Sequence, residues 1–461
     1  MGIRIGVILL VLSAWANSML AQKTAIDYSE YYDYNEALNF FEKEKFASAL
    51  QNFEATILSI SDPHQEVRVN AEYYRGVCAL YLQHKDAEFL LERFTIEHPD
   101  SPWVQKIYIQ IGDYNFKKRK YKKATYWYKK VKEYKLKGQE EIAYKYKRAY
   151  SYFYVNNYTK AKPGFFEIKD LDSEYKDAAT YYYSHIAYEE ANYQTALDGF
   201  SILTNSPSFE PITPYYIAQI YFLQEKHDLV LEFAPPLIDG EQVSVERVPE
   251  IARIVGESYF VKDQFDEALP YLELYHKETP EKHKVRADYY QLGYVYYRNK
   301  SYEKALELFS EVTDEEDEMS QLANYHMADC YLKLDQKPYA RSAFKQAFEM
   351  DFDAEIKEDA LFNYAKLAFE LSYNPFHEAI VAFEGYIEDY PESERSEEAY
   401  EFLLNVYMKS KNYEAALKSL DKISNKDQRT KEAYQVVTFN RAVELFNQKK
   451  YDDSATYFNK V

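Results

Sequence analysis

The chain has 461 residues and a formal net charge of −20, with 76 Asp and Glu against 56 Lys and Arg. An acidic excess of that size argues against general nucleic-acid binding, which needs a cationic face for phosphates. Eleven glycines and two cysteines are too few for a loop-rich or disulfide-stapled domain, and the length allows either several globular domains or one long array.

In chain order, residues 1–21 read as a signal peptide. Arg4 precedes an apolar run, Ile5–Leu12, broken only by Gly6, and Ala21-Gln22 fits a cleavage point. The run is too short for an ordinary membrane span, and no later segment is apolar enough. No cysteine follows the leader to take a lipid. The expected location is therefore export, most simply to the periplasm of a Gram-negative bacterium.

From residue 22 onward one pattern recurs about every 37 residues. At Gly293 a small residue is followed by Tyr296, Tyr302, Ala305, Phe309 and Val312. The spacing predicts two antiparallel helices per unit with a small anchor residue where their backbones approach. The anchors are Ala37, Gly76, Gly112, Ala149, Ser184, Ala218, Gly256, Gly293, Ala328, Ala365, Leu404 and Ala442. Eight units have alanine twelve residues on, expected to face the anchor across the hairpin, with a large residue four further along filling the layer between. The fold class predicted is all-α, a right-handed superhelical solenoid of about twelve hairpins. Six of the fifteen prolines fall between Pro207 and Pro249. They predict an array over 22–233, an irregular connection or hinge over 234–249, and a second array over 250–461. Pro163 and Pro270 are expected in the first turns of their helices, where a missing N–H is tolerated. The final unit is expected to lack a closing cap, so that the natural chain continues past Val461.

The small–aromatic–alanine–aromatic spacing resembles the tetratricopeptide repeat across essentially the whole mature chain, most strongly at Gly112, Gly256 and Gly293. Its richness in tyrosine is similar to that of large exported repeat proteins of Bacteroidota-like bacteria. The resemblance implies a scaffold in which the first helices line a concave groove that holds protein segments.

Spacings for catalysis, phosphate binding or metal ligation are missing: there is no H-E-x-x-H, glycine-rich phosphate loop, C-x-x-C or G-x-S-x-G. No catalytic, cofactor or metal site is predicted. His326 and Cys330 stand four apart, but they read better as a helix-surface residue and a filler of a small slot. The binding groove is assigned to Tyr73, Tyr146, Tyr150, Tyr181, Tyr188, Tyr215, Tyr290, Tyr294, Tyr297 and Tyr325, since tyrosine offers rigid apolar area with one polar tip. The segment Lys117–Arg148 holds fourteen Lys and Arg against three Glu and points to an acidic partner surface. The acidic run Asp314–Glu318 reads as a solvated turn. The function expected is a non-enzymatic periplasmic scaffold serving envelope assembly or secretion. The alternatives are the ligand-binding ectodomain of a longer sensor or enzyme, and a glycan- or lipopolysaccharide-binding module.

Overall fold

A computed structural model describes residues 31–133, 136–240, 243–371, 376–422 and 428–461. The proposed signal peptide lies outside them. Among the described residues the regular elements are all helical, and each anchor lies in the first helix of a hairpin. The first pair is α1 (31–42) with α2 (Phe46–Ser59). It is followed by α3 (Glu66–Tyr81) with α4 (Ala87–Glu97) and α5 (Trp103–Lys117) with α6 (Tyr121–Tyr128). Next come α7 (Gly138–Phe153) with α8 (Tyr158–Ile168), α9 (Lys176–Glu189) with α10 (Tyr193–Ile202), and α11 (Thr213–Leu223) with α12 (His227–Phe233). After the short α13 (Pro235–Asp239) the pairing resumes: α14 (Val248–Val261) with α15 (Phe265–Glu278), α16 (Arg286–Arg298) with α17 (Tyr302–Ser310), and α18 (Glu318–Lys333) with α19 (Lys337–Glu349). The remaining pairs are α20 (Ala354–Leu371) with α21 (Phe376–Asp389), α22 (Ser396–Ser410) with α23 (Tyr413–Lys422), and α24 (Gln428–Asn447) with α25 (Tyr451–Phe458).

Two compact units divide between Ile217 and Ala218, inside α11 and ahead of the 233/234 boundary suggested by the prolines. Residues 234–249 hold α13 and a single 3₁₀ turn, Val245–Arg247, with Leu237 and Val243 buried.

The anchors are small for a reason different from the one expected. A methyl group added at Gly112 would lie 2.5 Å from the Tyr128 ring, and at Gly256 it would lie 2.6 Å from Leu272. At Gly293 the Phe309 ring is 3.1 Å away. The anchor thus faces the large residue sixteen positions on, not the alanine at twelve. The large side chain packs where a Cβ would stand, so a glycine that costs about 1 kcal/mol in helix propensity is offset by close packing. The alanines are nonetheless fully buried, as at Ala124, Ala161, Ala268 and Ala305. Leu404 departs from the rule: it is partly exposed, and its neighbour Leu403 is buried instead.

Each described hairpin turn closes through a residue with positive φ seven positions after the anchor. These residues include Glu44, Arg119, Ala191, Asp263, Lys300 and Lys449, with φ between 56° and 63°. None is glycine. At Lys300 the flanking bonds run from the Ser301 N–H to the Tyr296 carbonyl at 2.8 Å and from the Lys300 N–H to the Tyr297 carbonyl at 3.0 Å. This left-handed cap satisfies carbonyls that the helix end would leave bare. A side chain there costs roughly 1 kcal/mol relative to glycine.

Two further corrections concern polar and proline positions. Pro163 and Pro270 lie inside α8 and α15, each as the sixth residue of its helix. That is past the first-turn N–H groups that lack partners anyway, so each removes one ladder bond. The acidic run is not simply solvated. Arg286 reaches Glu315 at 2.8 Å, Asp317 at 2.6 Å and Ser320 at 2.7 Å, and Asp317 caps α18 through the Ser320 N–H at 2.8 Å. The arginine and the capped N–H hold the Asp317 carboxyl well below its ordinary range.

Candidate functional site: the tyrosine faces of the first helices

In five of the twelve units the first helix locks onto the second helix of the preceding hairpin through a ring in a slot that the sequence reading passed over, two residues before the anchor. Tyr74 stacks on Phe53 (5.2 Å between centroids), Tyr182 on Phe165 (5.4 Å), Tyr216 on Phe200 (4.8 Å) and Phe402 on Phe383 (5.4 Å). His326 takes the same place on Phe309 at 5.9 Å. Each of these rings lies flat on the large residue of the preceding hairpin, so in these units one repeat carries the lid of the repeat before it. The signal was present: aromatic residues follow directly after the tyrosine stripe at positions 74, 182 and 216.

The ten tyrosines assigned to the groove separate into two kinds. Tyr73 is 1% exposed and Tyr146 is 9% exposed. Tyr73 stacks on Trp103 at 4.2 Å, and Tyr146 stacks on Tyr175 at 4.6 Å. Both partners are loop-side rings from the next repeat, nine residues before its anchor. These two tyrosines are core residues and present no open surface, which corrects their assignment to the groove. Tyr181 has a similar neighbour, Phe209 at 4.8 Å, yet keeps partial exposure. Tyr150, Tyr188, Tyr215, Tyr290, Tyr294, Tyr297 and Tyr325 are likewise half-buried.

The half-buried rings form two separate groups. In the first unit Tyr150 stands among Phe116, Tyr121, Tyr154 and Tyr182, all with centroids within 5.7 Å. In the second unit Tyr294 stands among Phe260 and Phe265 (both 5.7 Å), Tyr297 (5.9 Å) and His326 (5.1 Å). Arg298 donates to the Tyr294 hydroxyl at 3.1 Å. The position just after the anchor is half-buried in most repeats, and Val77 there is buried outright.

Tyrosine hydroxyls account for part of the acidic excess. Tyr297 donates to Asp329 at 2.6 Å, Tyr325 to Asp359 at 2.7 Å, Tyr128 to Asp113 at 2.7 Å and Tyr407 to Glu384 at 2.5 Å. A carboxylate is the stronger acceptor, so each pair ties a surface charge to an inner ring. Burial, and in several cases the neighbouring carboxylate, raises these phenols, so they remain neutral donors. Tyr188 is pushed up to about 12 by burial, with smaller contributions from neighbouring tyrosines and Glu189.

His326 is not the surface residue expected. It lies among Tyr290, Tyr294, Tyr297, Phe309 and Tyr325, and burial lowers its pKa to about 4. Cys78 and Cys330 are buried free thiols raised to about 12 by burial. Among the described residues one mixed ligand set comes together, Glu72, Glu97 and His98. Arg68 already bonds Glu72 at 3.2 Å, Arg93 bonds Glu97 at 3.2 Å, and His98 Nε2 lies 3.0 Å from Glu72. This is an ion-pair network whose carboxylates have cationic partners.

The basic segment divides between the two ends of α6. Lys117, Lys118, Arg119, Lys120, Lys122 and Lys123 are exposed at the α5–α6 turn, while Lys129 and Lys132 are exposed at the other end. Lys145, Lys147 and Arg148 point into ion pairs with Glu141 and Glu167, with Asp113, and with Glu133.

Residues 261–347 match a family described as anaphase-promoting complex, cyclosome, subunit 3, and residues 359–393 match the tetratricopeptide repeat family. The described residues form an all-α solenoid of tetratricopeptide-like hairpins, and the repeat proteins whose family models match these segments mediate protein–protein interactions. No curated protein sequence matches it. Among solved structures it is similar to YrrB, described as a TPR protein with an unusual peptide-binding site, at 15% identity and TM-score 0.36, covering 42% of this chain and 96% of that one. It is also similar to a tetratricopeptide repeat protein from Parabacteroides merdae at 13% identity and TM-score 0.33, covering 58% and 98%. A third is the Naa15/Naa10 complex bound to HypK-THB, at 10% identity and TM-score 0.40, covering 93% and 68%. Among the described residues no helix is long and apolar enough to cross a membrane.

Proposed function

We propose that this chain is an exported, non-enzymatic scaffold that holds segments of other proteins along its first helices. The observation that carries this reading is the pair of half-buried tyrosine groups around Tyr150 and Tyr294. Tyr150 and Tyr294 are each fixed by packing on neighbouring rings and keep part of their surface open. A rigid ring with a neutral hydroxyl loses little conformational freedom when a peptide is laid against it. The leader supports a periplasmic location and a role in envelope assembly or secretion, and the exposed cations at 117–123 favour an acidic partner.

The test is affinity capture from native periplasmic extract with the parent chain and with a Tyr188→Ala, Tyr215→Ala, Tyr297→Ala variant. These three positions are half-buried, so helical content measured by circular dichroism is expected to persist while capture falls. Equal capture by both chains would overturn the groove assignment. Fractionation with mass measurement of the mature N-terminus tests export, which predicts cleavage after Ala21.

A further inference from the structure

Between α3 and α5 no ring stands in the interlocking slot, and the residues facing it, Val77 and Leu80, are smaller than the Tyr150 and Phe153 that face Tyr182. Gln110 occupies the slot that holds Tyr74, Tyr182 and Tyr216 in other repeats. Its amide turns inward to the Tyr73 hydroxyl at 3.2 Å and leaves the space between the two helices unfilled. The result is a groove of about 430 Å³ lined by residues that include Val77, Leu80, Tyr81, Tyr114, Lys117 and Lys118. Gln83, Gln110 and Asp113 complete the lining, and the Asp113 carboxylate is already held by Lys147 at 2.6 Å and by the Tyr128 hydroxyl at 2.7 Å. Tyr81 is 59% exposed, a large ring presented to solvent.

The groove opens beside the α5–α6 turn. There Lys117, Lys118, Arg119 and Lys120 follow one another and all are exposed. Lys118 rests over the Tyr114 ring at 4.2 Å. Of the cations around this turn, Lys123 approaches a carboxylate, Glu88, at 3.6 Å, while the four consecutive ones form no ion pair among the described residues. Four adjacent like charges repel one another. In a chain of net charge −20, leaving them without carboxylates creates a local field opposite to that of the molecule.

We propose that this groove and turn together bind an acidic peptide segment bearing one large apolar side chain. The apolar side chain enters between α3 and α5 against Val77, Leu80 and Tyr81, and the flanking carboxylates meet Lys117–Lys120. The proposal rests on the reading of the chain as a holder of protein segments and specifies the chemistry of one of them. Cations at a turn beside an apolar slot select by charge at the rim and by shape at the centre.

The test uses the full chain and labelled peptides of about twelve residues, long enough to span roughly 40 Å extended. One is rich in Asp and Glu around a central Phe, a second has Ser for that Phe, and a third is rich in Lys around Phe. Binding is read by fluorescence anisotropy at about 50 and about 300 mM salt, where screening differs strongly. The acidic Phe peptide should bind in the micromolar range and weaken at least about tenfold in a Lys117→Glu, Lys118→Glu, Lys120→Glu variant. Gln110→Tyr, which restores the missing ring, and Tyr81→Ala should each weaken it several-fold with little change in salt dependence, because they alter the slot and not the rim. Equal binding of the Lys-rich peptide, or indifference to the charge reversal, overturns the proposal. So does anionic lipid vesicle binding that matches the peptide's while the Phe and Ser peptides bind alike, since that outcome identifies a charge-only surface. If the acidic peptide fails while periplasmic capture still depends on Tyr188, Tyr215 and Tyr297, only this inference falls; if capture fails and the acidic peptide binds, the site stands without the wider scaffold reading.

Discussion

The stretch from α7 to α9 and the stretch from α3 to α5 are built from the same repeat yet differ where first helices face each other: Tyr150, Phe153 and Tyr182 in one stand where Val77, Leu80 and Gln110 stand in the other. In the first, Tyr182 covers Phe165 and meets Phe153 at 4.8 Å. In the second, Gln110 turns away and a groove remains. The same hairpin can therefore leave a groove between first helices or fill it, according to whether rings or smaller side chains face each other there. Stability and access are set by the same positions, and the comparison can be tested there.

The largest effect is expected where the ring is present. Tyr182→Ala should cost about 3 kcal/mol, as for other large aromatic deletions, whereas Gln110→Ala should cost less than about 1 kcal/mol because no ring contact is lost. Hydrogen exchange across α7–α9 and α3–α5 separates the two outcomes, and similar losses at both would end the comparison.

Acid should act at another interlocking ring, His326. Its folded pKa is about 4 against an ordinary 6.5, so the unfolded chain binds the extra proton in that window. Stability from the neutral ring is complete above pH 6.5 and is lost as pH falls toward 4. The loss is roughly 3 kcal/mol at 1.36 kcal/mol per pKa unit. Asp329 opposes this shift and Arg298 adds to it, both less than burial does. His326→Phe should remove this component from the acid side of a melting-temperature profile of the second unit.

Overpacking at an anchor comes next. Gly112→Leu drives a side chain into Tyr128 and should destabilise by about 1–3 kcal/mol. A thermal melt unchanged by it would mean that the anchor does not face the residue sixteen on. The smallest effect is a gain. Lys300→Gly relieves a left-handed side chain and should stabilise by up to about 1 kcal/mol, less what a more flexible unfolded chain takes back.

Much of the fold was legible because one period organises it. Small residues recur at the anchor and alanines at twelve, so the described hairpins fall where the spacing put them. The partner of the anchor was not legible. Positions twelve and sixteen are one turn apart on the same helix face, and spacing alone cannot say which one meets the glycine. The left-handed turn was hidden for another reason. Backbone bonds fix it and no glycine marks it, so Glu44, Ala191 and Lys300 share a conformation without sharing chemistry. The binding surface was the least legible part. Tyr73 and Tyr290 occupy the same slot in sequence. Whether such a ring is sealed or half-open depends on what the next repeat lays over it, and Trp103 closes the first.

The left-handed turn residues have one more consequence. All that are described stand exposed, one per hairpin, and their conformation is dictated by neighbouring carbonyls more than by the side chain. Within each unit they recur once per repeat as surface handles whose chemical identity can be rewritten for dyes, crosslinkers or surface tethers while the packed interior goes undisturbed.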